Sequence, residues 1–545
     1  MNGESMNGES IDVVICGGGL AGLGLALQLR RQIPALRVRV LERQVSPLPA
    51  STHKVGESTL EGGGWWLREA LGLGDVLERD HLRKLGLRFF GAGHGSAGAF
   101  GERFEVGSTD FSAIPSYQLD RGVLEETLRE RVREAGAILE EGCTVRDIAL
   151  DATLDGDGPH EVRYTAAGED RVVRARWVVD AMGRRRFLQT RLGLGLPQTH
   201  RVSACWWRAA GEREVDALGP PPPAPWRQRT RQRRWFSTNH LLGQRYWVWT
   251  IPLRAGVTSV GIVADDDRHP IAARADHAGA LDWLRRNEPA LAGLLAGAEA
   301  LDFHALKRFT LRSSRVFSPR RWCCIGEAAV FTDPLYSMGT EVIAWACTIT
   351  ARMLALDHQG ALTPALVDAW DALFLEAVDG VMALVQDMYP VLGDDRVMLG
   401  KLLWDHAFYW GVMARAPMSG ALAREDLLPR YGALTRRAAA LNRRAQALFR
   451  GWSAARPRDV APPGLYSLRA CDFTNALRLD LMRDESAEGW LDTLGDNLDR
   501  AEAALGAMLT IARQEAPDLT VDGIIPSRDE ALVRSLMAYW QPVAA

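Results

Sequence analysis

Lysine is scarce in this 545-residue chain: Lys54, Lys84, Lys307 and Lys401 are four among 65 basic residues, and every other one is arginine. Each surviving lysine therefore raises the question of what a primary amine does there that a guanidinium would not. Cysteine is sparse and scattered. Cys16, Cys143, Cys205, Cys323, Cys324, Cys347 and Cys471 include no Cys-x-x-Cys pair and no histidine at ligand spacing, so no metal site is expected. Their odd number suits a reduced, cytoplasmic protein rather than a disulfide scaffold. No run of 18 apolar residues occurs, which predicts no membrane span. Met1–Ser10 reads MNGESMNGES, a polar duplication without the apolar stretch of a signal peptide, and is expected to be disordered. Neither sign of charge prevails: 65 basic against 68 acidic residues give −3, which weighs against a nucleic-acid partner. With 47% hydrophobic and 24% charged residues, the composition is that of an ordinary globular protein with a large core. Tryptophan is the exception, 18 against 9 tyrosines. Most of these indoles belong in ordinary core, and some could line an aromatic pocket.

The first clear motif is a βαβ unit over Ile11–Glu42. A strand, Ile11–Cys16, runs into Gly17-Gly18-Gly19-Leu20-Ala21-Gly22, a helix follows to about Arg31, and a second strand over 37–41 ends at Glu42. Gly17 and Gly19 permit a tight turn and close approach to a pyrophosphate, and Gly22 lets the helix pack on the strand. The helix N-terminus offers free N–H groups to phosphate, and Glu42 is placed to bond a ribose hydroxyl. The strand before, the helix after and the acid at the right distance turn a weak glycine pattern into a strong dinucleotide-binding signature.

The middle of the chain is strand-rich, with Glu161–Tyr164, Val172–Val179 and Tyr246–Pro252 patterned as strands. Gly219–Pro225 is a proline-rich loop, and five arginines over 227–234 form a basic run expected to be a solvated loop. From about Met353 the pattern turns helical. Thr363-Pro364 is an N-cap and first-turn pair, and Leu366, Trp370, Leu373, Phe374, Val378, Val381 and Val385 follow at helical spacing. A further helix over 434–449 carries Arg436, Arg437, Arg443 and Arg444. The expected fold is α/β: a Rossmann-like module over 11–352, a sheet-rich substrate-side region at about 190–310 within it, and a helical C-terminal domain over 353–545.

Two more segments resemble flavin contacts: Val178-Val-Asp180-Ala-Met-Gly183, a strand ending in a tight turn, and Ile325-Gly326-Glu327-Ala-Ala329. With the first fingerprint they resemble the three-part pattern of FAD-dependent monooxygenases, in which Arg121, opening a helix after Asp120, would be the arginine contact to the cofactor. Within that superfamily the chain resembles the flavin-dependent halogenases, over about 11–346. Trp247-Val248-Trp249-Thr250-Ile251-Pro252 fits the family's WxWxIP. On a strand, alternation puts Trp247, Trp249 and Ile251 on one face. In the family this element keeps substrate off the flavin. Phe331-Thr-Asp-Pro334-Leu-Tyr-Ser337-Met338-Gly339 fits FxxPxxSxG, in which backbone N–H groups at Met338 and Gly339 would hold chloride or bromide beside the flavin. His53-Lys54-Val-Gly56-Glu57-Ser58 and Lys84-Leu-Gly86-Leu-Arg-Phe89 resemble the segments leading to the active lysine of phenol-type halogenases.

The resemblance implies that reduced FAD and oxygen give a flavin hydroperoxide, that halide attacks it, and that hypohalous acid passes the two tryptophans to Lys84. Lys84 would position or carry the halogen beside an electron-rich ring; Lys54 is the runner-up for that role and otherwise a cofactor contact. Tyr336 replaces the glutamate that tryptophan halogenases carry before the loop serine, so the likeness is to enzymes of phenols or pyrroles. Glu327 stands where aspartate is usual, and Met338 where small residues are common. No second dinucleotide fingerprint is present, so a separate flavin reductase is the expected partner, and the substrate is left open as free or carrier-protein-bound. Two rival functions remain: an FAD monooxygenase that hydroxylates without halide, and a non-catalytic flavoprotein that docks an acidic carrier on the arginines of 434–449.

Overall fold

The computed structural model describes residues 11–93, 99–151, 158–222 and 224–543. Met1–Ser10, expected to be disordered, lies outside them, as does Pro223 of the proline-rich loop.

Ile11–Cys16 is apolar at all but one position because it is buried on both faces. It runs parallel between Val38–Leu41 and Glu169–Asp180. Ile138–Glu140 extends the sheet on one side and Trp322–Cys324 on the other, both also parallel. Helices Leu20–Gln32, Arg121–Glu134 and Gly339–His358 pack together against this layer. In such a sheet, ligands bind beyond the carboxyl ends of the strands.

A second sheet lies beside the first. Its order is His304–Leu306, Val202–Ala210, Val257–Asp265, Tyr246–Leu253, Thr238–Gly243, Leu87–Phe90, Phe104–Gly107 and Gly464–Tyr466. Alternation divides its side chains between two cores. Trp247, Trp249 and Ile251 face the main core, whereas Val248, Val260 and Ile262 face a second one closed by Trp283 and Leu284 of helix His277–Asn287. The strand-rich reading of the middle thus holds, with two additions: strands from residues 87–107 and one from the far end of the chain join the same sheet.

The helical last third is also present, but it starts earlier than about Met353. Helix Gly339–His358 runs through that position without a break. Val342, Ala344, Trp345, Ala346, Ile349 and Leu354 are all buried, so the helix is apolar on nearly every side and shows no amphipathic stripe that periodicity could detect. Helix Pro364–Ala383 begins as expected, with the Thr363 hydroxyl accepting from the Leu366 N–H at 3.3 Å. Helices Asp395–Phe408, Leu428–Ala454, Asp472–Asp480, Ala487–Glu515 and Glu530–Ala538 follow. Among the described residues no helix is long and apolar enough to cross a membrane.

Candidate active site

The glycine turn after Ile11–Cys16 is as tight as the motif implies. A Cβ on Gly22 would lie 1.9 Å from the Gly17 carbonyl oxygen, so nothing larger fits. Glu42 reaches back into this turn, where its carboxylate accepts from the Gly18 N–H and, at 2.7 Å, from the Gln44 N–H. Lys54 overhangs the turn: its Nζ is 3.1 Å from where a Cβ on Gly19 would sit, and it donates to Glu125 at 2.9 Å. Arg121 bonds the Val55 carbonyl at 2.9 Å and pairs with the same Glu125. Burial alone would raise the Glu125 pKa, but Arg121, His53 and Lys54 together hold it well below the carboxylate range.

A cleft opens here. Leu20, Arg121, Gly326 and Glu327 line one part of it, and Trp247, Trp249 and Ile251 another. Burial pushes the Glu327 carboxyl up. Asp180 is brought close in sequence order but not into the wall: fully buried, it accepts from the N–H groups of Met182 at 3.1 Å and Leu188 at 2.8 Å, and so shapes the turn rather than facing the cleft. The cleft fits FAD. The first turn of Leu20–Gln32 supplies free N–H groups for a pyrophosphate. At Gly339 no atom lies within 4 Å of where a Cβ would stand, which leaves room for a flat ring against the loop.

That loop, Pro334–Gly339, separates two cavities. Asp333 caps it by accepting from the Leu335 N–H at 3.0 Å. Ser337 adopts a left-handed conformation, φ 59°, followed by right-handed Met338. Such a left–right pair turns successive N–H groups toward one point, the geometry of an anion nest. Pro334, Ser337 and Gly339 line the first cleft, while Tyr336 and Met338 line a second. Trp247 and Trp249 line only the first. The loop therefore lies between the two cavities, and the two tryptophans face the first. The indoles are fixed where they stand: Trp247 donates to the Tyr389 hydroxyl at 2.9 Å and Trp249 to the Ser259 hydroxyl at 3.1 Å.

Lys84 lies in the same dividing wall. It is 1% exposed, and its amine donates at 2.7 Å to both the Ser58 hydroxyl and the Thr59 carbonyl. Ser58 lines the first cleft and accepts from the Ser337 hydroxyl at 3.1 Å; it also bonds Thr238 at 2.8 Å. Leu60, Glu61, Leu85 and Gly86, the neighbours of this pair along the chain, line the second cleft. Gly86, at φ 94°, turns the chain from the lysine into strand Leu87–Phe90. Burial drives the Lys84 pKa down to about 7, opposed by the charges of Glu61 and Glu341. Burial likewise pushes Glu341 up to about 7, although it accepts from Gly63 N–H at 2.9 Å and from Tyr409 at 3.1 Å.

Ser58, Glu61, Glu341, Tyr389, Asp405 and Tyr409 escaped the sequence reading as site residues. Ser58 had a local signal, since it closes the Gly56-Glu57-Ser58 segment. Glu61 lies three residues further on, at the start of helix Glu61–Trp65, and Glu341, Tyr389, Asp405 and Tyr409 reach the site from elements hundreds of residues away. Lys401 is the second fully buried lysine. It donates to Asp405 and to the Leu384 carbonyl at 2.6 Å, and to Gln446 at 2.8 Å, while Tyr336 donates to the same Asp405. The arginines of 434–449 are largely engaged within the chain: Arg437 with Asp499 and Glu502, Arg443 with Glu376, and Arg444 with Glu502. Their charge is thus mostly paired within the chain.

Residues 10–252 match the FAD binding domain family. The flavin-dependent halogenase chlA of Dictyostelium discoideum is 25% identical over 433 residues, covering 74% of this chain and 70% of that one. The 1H-pyrrole-2-carbonyl-[peptidyl-carrier protein] brominase of Pseudoalteromonas luteoviolacea is 26% identical, covering 61% and 74%. The crystal structure of halogenase PltM in complex with phloroglucinol and FAD superposes with a TM-score of 0.67 at 19% identity, over 90% of this chain and 96% of that one, a likeness of fold. By its FAD-binding signature and these relatives, the chain is similar to the flavin-dependent halogenases, and it carries an FAD binding domain over 10–252.

Proposed function

We propose that the protein chlorinates or brominates an electron-rich aromatic substrate, of the phenol or pyrrole kind, with Lys84 delivering the halogen. The observation that carries this reading is the buried amine in the wall between two clefts, joined through Ser58 to the loop serine. Bound FAD, reduced by a separate reductase, supplies with oxygen the oxidant that turns halide into hypohalous acid.

The chain's own residues do the rest. Lys54, Arg121, Glu42 and the glycine turn hold the cofactor's phosphates and ribose. The nest at Ser337–Gly339 and the N-terminus of Gly339–His358 favour a halide. Trp247, Trp249 and Ile251 keep the first cleft apolar and exclude water. The Ser337–Ser58–Lys84 line of polar groups leads out of it toward the second cleft. An amine with a pKa near 7 is available both as ammonium, to hydrogen-bond hypohalous acid, and as free amine, to take the halogen. Arginine stays protonated and can do only the first. In the second cleft the aromatic C–H carbon takes the halogen: from hypohalous acid held by the ammonium, the ring proton leaves with the hydroxide as water; from the halogenated amine, water has already left with the amine's own proton, and the ring proton returns to the nitrogen.

The likeness to a carrier-protein brominase and to a phloroglucinol complex leaves the substrate free or tethered. The product's mass tests the reaction. With reduced FAD, oxygen, bromide and a panel of phenols and pyrroles, the expected product carries the paired bromine isotope pattern. Addition of oxygen alone would make the enzyme a hydroxylase.

A further inference from the structure

The second cleft has an inner end and an outer end of different electrical character. At the inner end, buried Asp405 is compensated by Lys401 and bonded by Tyr336 and Gln446. Burial favours the neutral form of Glu61 there, and of His406. The outer end is formed by the segment after strand Gly464–Tyr466, where exposed Arg469 and half-buried Arg478 both line the wall. Arg478, in the last turn of helix Asp472–Asp480, donates only to the Asn475 side-chain oxygen, at 2.9 and 3.3 Å. Among the described residues no carboxylate lies within ion-pair distance of either guanidinium. The contrast is with Arg121 of the first cleft, which pairs with Glu125. Two cations placed side by side at a cavity mouth repel one another, an arrangement that costs stability unless something anionic joins them. Burial and the neighbouring Arg469 both press the Arg478 pKa down.

We propose that Arg469 and Arg478 bind an anionic group on the aromatic substrate, a carboxylate or a phosphate, while its ring lies at the inner end beside Glu61 and Gly86. This deepens the halogenase reading and rests on it for the word substrate. Both anions offer oxygens matched to a guanidinium fork, and either could end a free aromatic acid or a longer tether.

Calorimetric binding to the FAD-loaded enzyme at low salt tests the proposal without turnover. The probes are 3-(4-hydroxyphenyl)propanoate, its uncharged amide, and the phosphate monoester of 3-(4-hydroxyphenyl)propanol. The wild type is expected to bind at least one anion about tenfold more tightly than the amide. Whichever anion gains more names the natural group. The Arg469→Gln/Arg478→Gln double variant is expected to bind all three alike, with its affinity for the amide unchanged, and Arg478→Lys to keep part of the preference. Equal affinities in the wild type, or a preference that survives in the double variant, would overturn the proposal. Bromide turnover of the same probes is read separately. Anion preference without halogenated product would leave the arginine site standing and remove the halogenase reading.

Discussion

A primary amine buried among polar groups, with two carboxylates nearby, sets the chemistry at the scale of the single residue. Lys84 loses most of its hydration, and desolvation outweighs the pull of Glu61 and Glu341, so its proton is held weakly. The sign follows directly. Below about pH 7 the folded protein carries the ammonium, and above it the free amine. Because an unfolded lysine keeps its proton to a much higher pH, this group adds stability as pH rises from about 7 toward the ordinary lysine value. If the free amine takes up halogen, single-turnover product yield should climb between pH 6 and pH 8 while FAD affinity stays level. A yield flat across that range would assign the work to the ammonium or to another group. The scarcity of lysine was the sequence's most useful clue, since it drew attention to Lys84 before any geometry was known. It could not separate Lys84 from Lys401, also buried, because only the fold shows that Lys401 is held by Asp405, Gln446 and a carbonyl, whereas Lys84 is bonded to Ser58, which lines the first cleft.

At the scale of elements, the strand Tyr246–Leu253 and the loop Pro334–Gly339 are coupled through a third piece of chain. Trp247 donates to Tyr389, whose hydroxyl donates to Asp333 at 2.7 Å, and Asp333 also accepts from the loop and stands 2.9 Å from His200. Tyr389→Phe leaves a buried indole N–H without a partner and takes a donor from Asp333. It should cost about 1–3 kcal/mol in urea unfolding, with looser FAD binding because both cleft walls lose their tie. No change in either would show the coupling to be incidental. Local pattern made the strand and the loop legible: alternation for Trp247, Trp249 and Ile251, and the proline, serine and glycine spacing for the loop. Alternation says which residues share a face, not which cavity that face borders, so only the fold sets both tryptophans against the first cleft.

At the scale of the whole molecule, the last third of the chain completes the site rather than merely covering it. It supplies Asp405 and Tyr409 to the wall of the second cleft, Tyr389 as the partner of Trp247, Arg469 and Arg478 to the outer end of the second cleft, and Gly464–Tyr466 as an edge strand paired with Phe104–Gly107. These are contacts of long sequence separation between helices whose own periodicity is generic, so the sequence revealed helices but not what they enclose. The dinucleotide half was far more legible, because there the glycines, the helix start and Glu42 lie within one short unit. Lys401 and Asp405, at 0% and 1% side-chain exposure, knit this region to Tyr336 of the loop. Asp405→Ala strands a buried ammonium and should destabilise the protein by about 3–5 kcal/mol, whereas Lys401→Met/Asp405→Leu should cost much less. A double variant as unstable as the single one would contradict that balance.

The most direct measurement is a single turnover of Lys84→Met with pre-reduced FAD, oxygen and bromide, following flavin oxidation, oxidant released to an external scavenger, and brominated product together. The account expects flavin oxidation close to wild type, oxidant escaping to the scavenger, and product reduced at least about a hundredfold, the scale of a positioned catalytic group. Brominated product at the wild-type rate would show that halogen reaches the ring without the amine, and the central claim would fall.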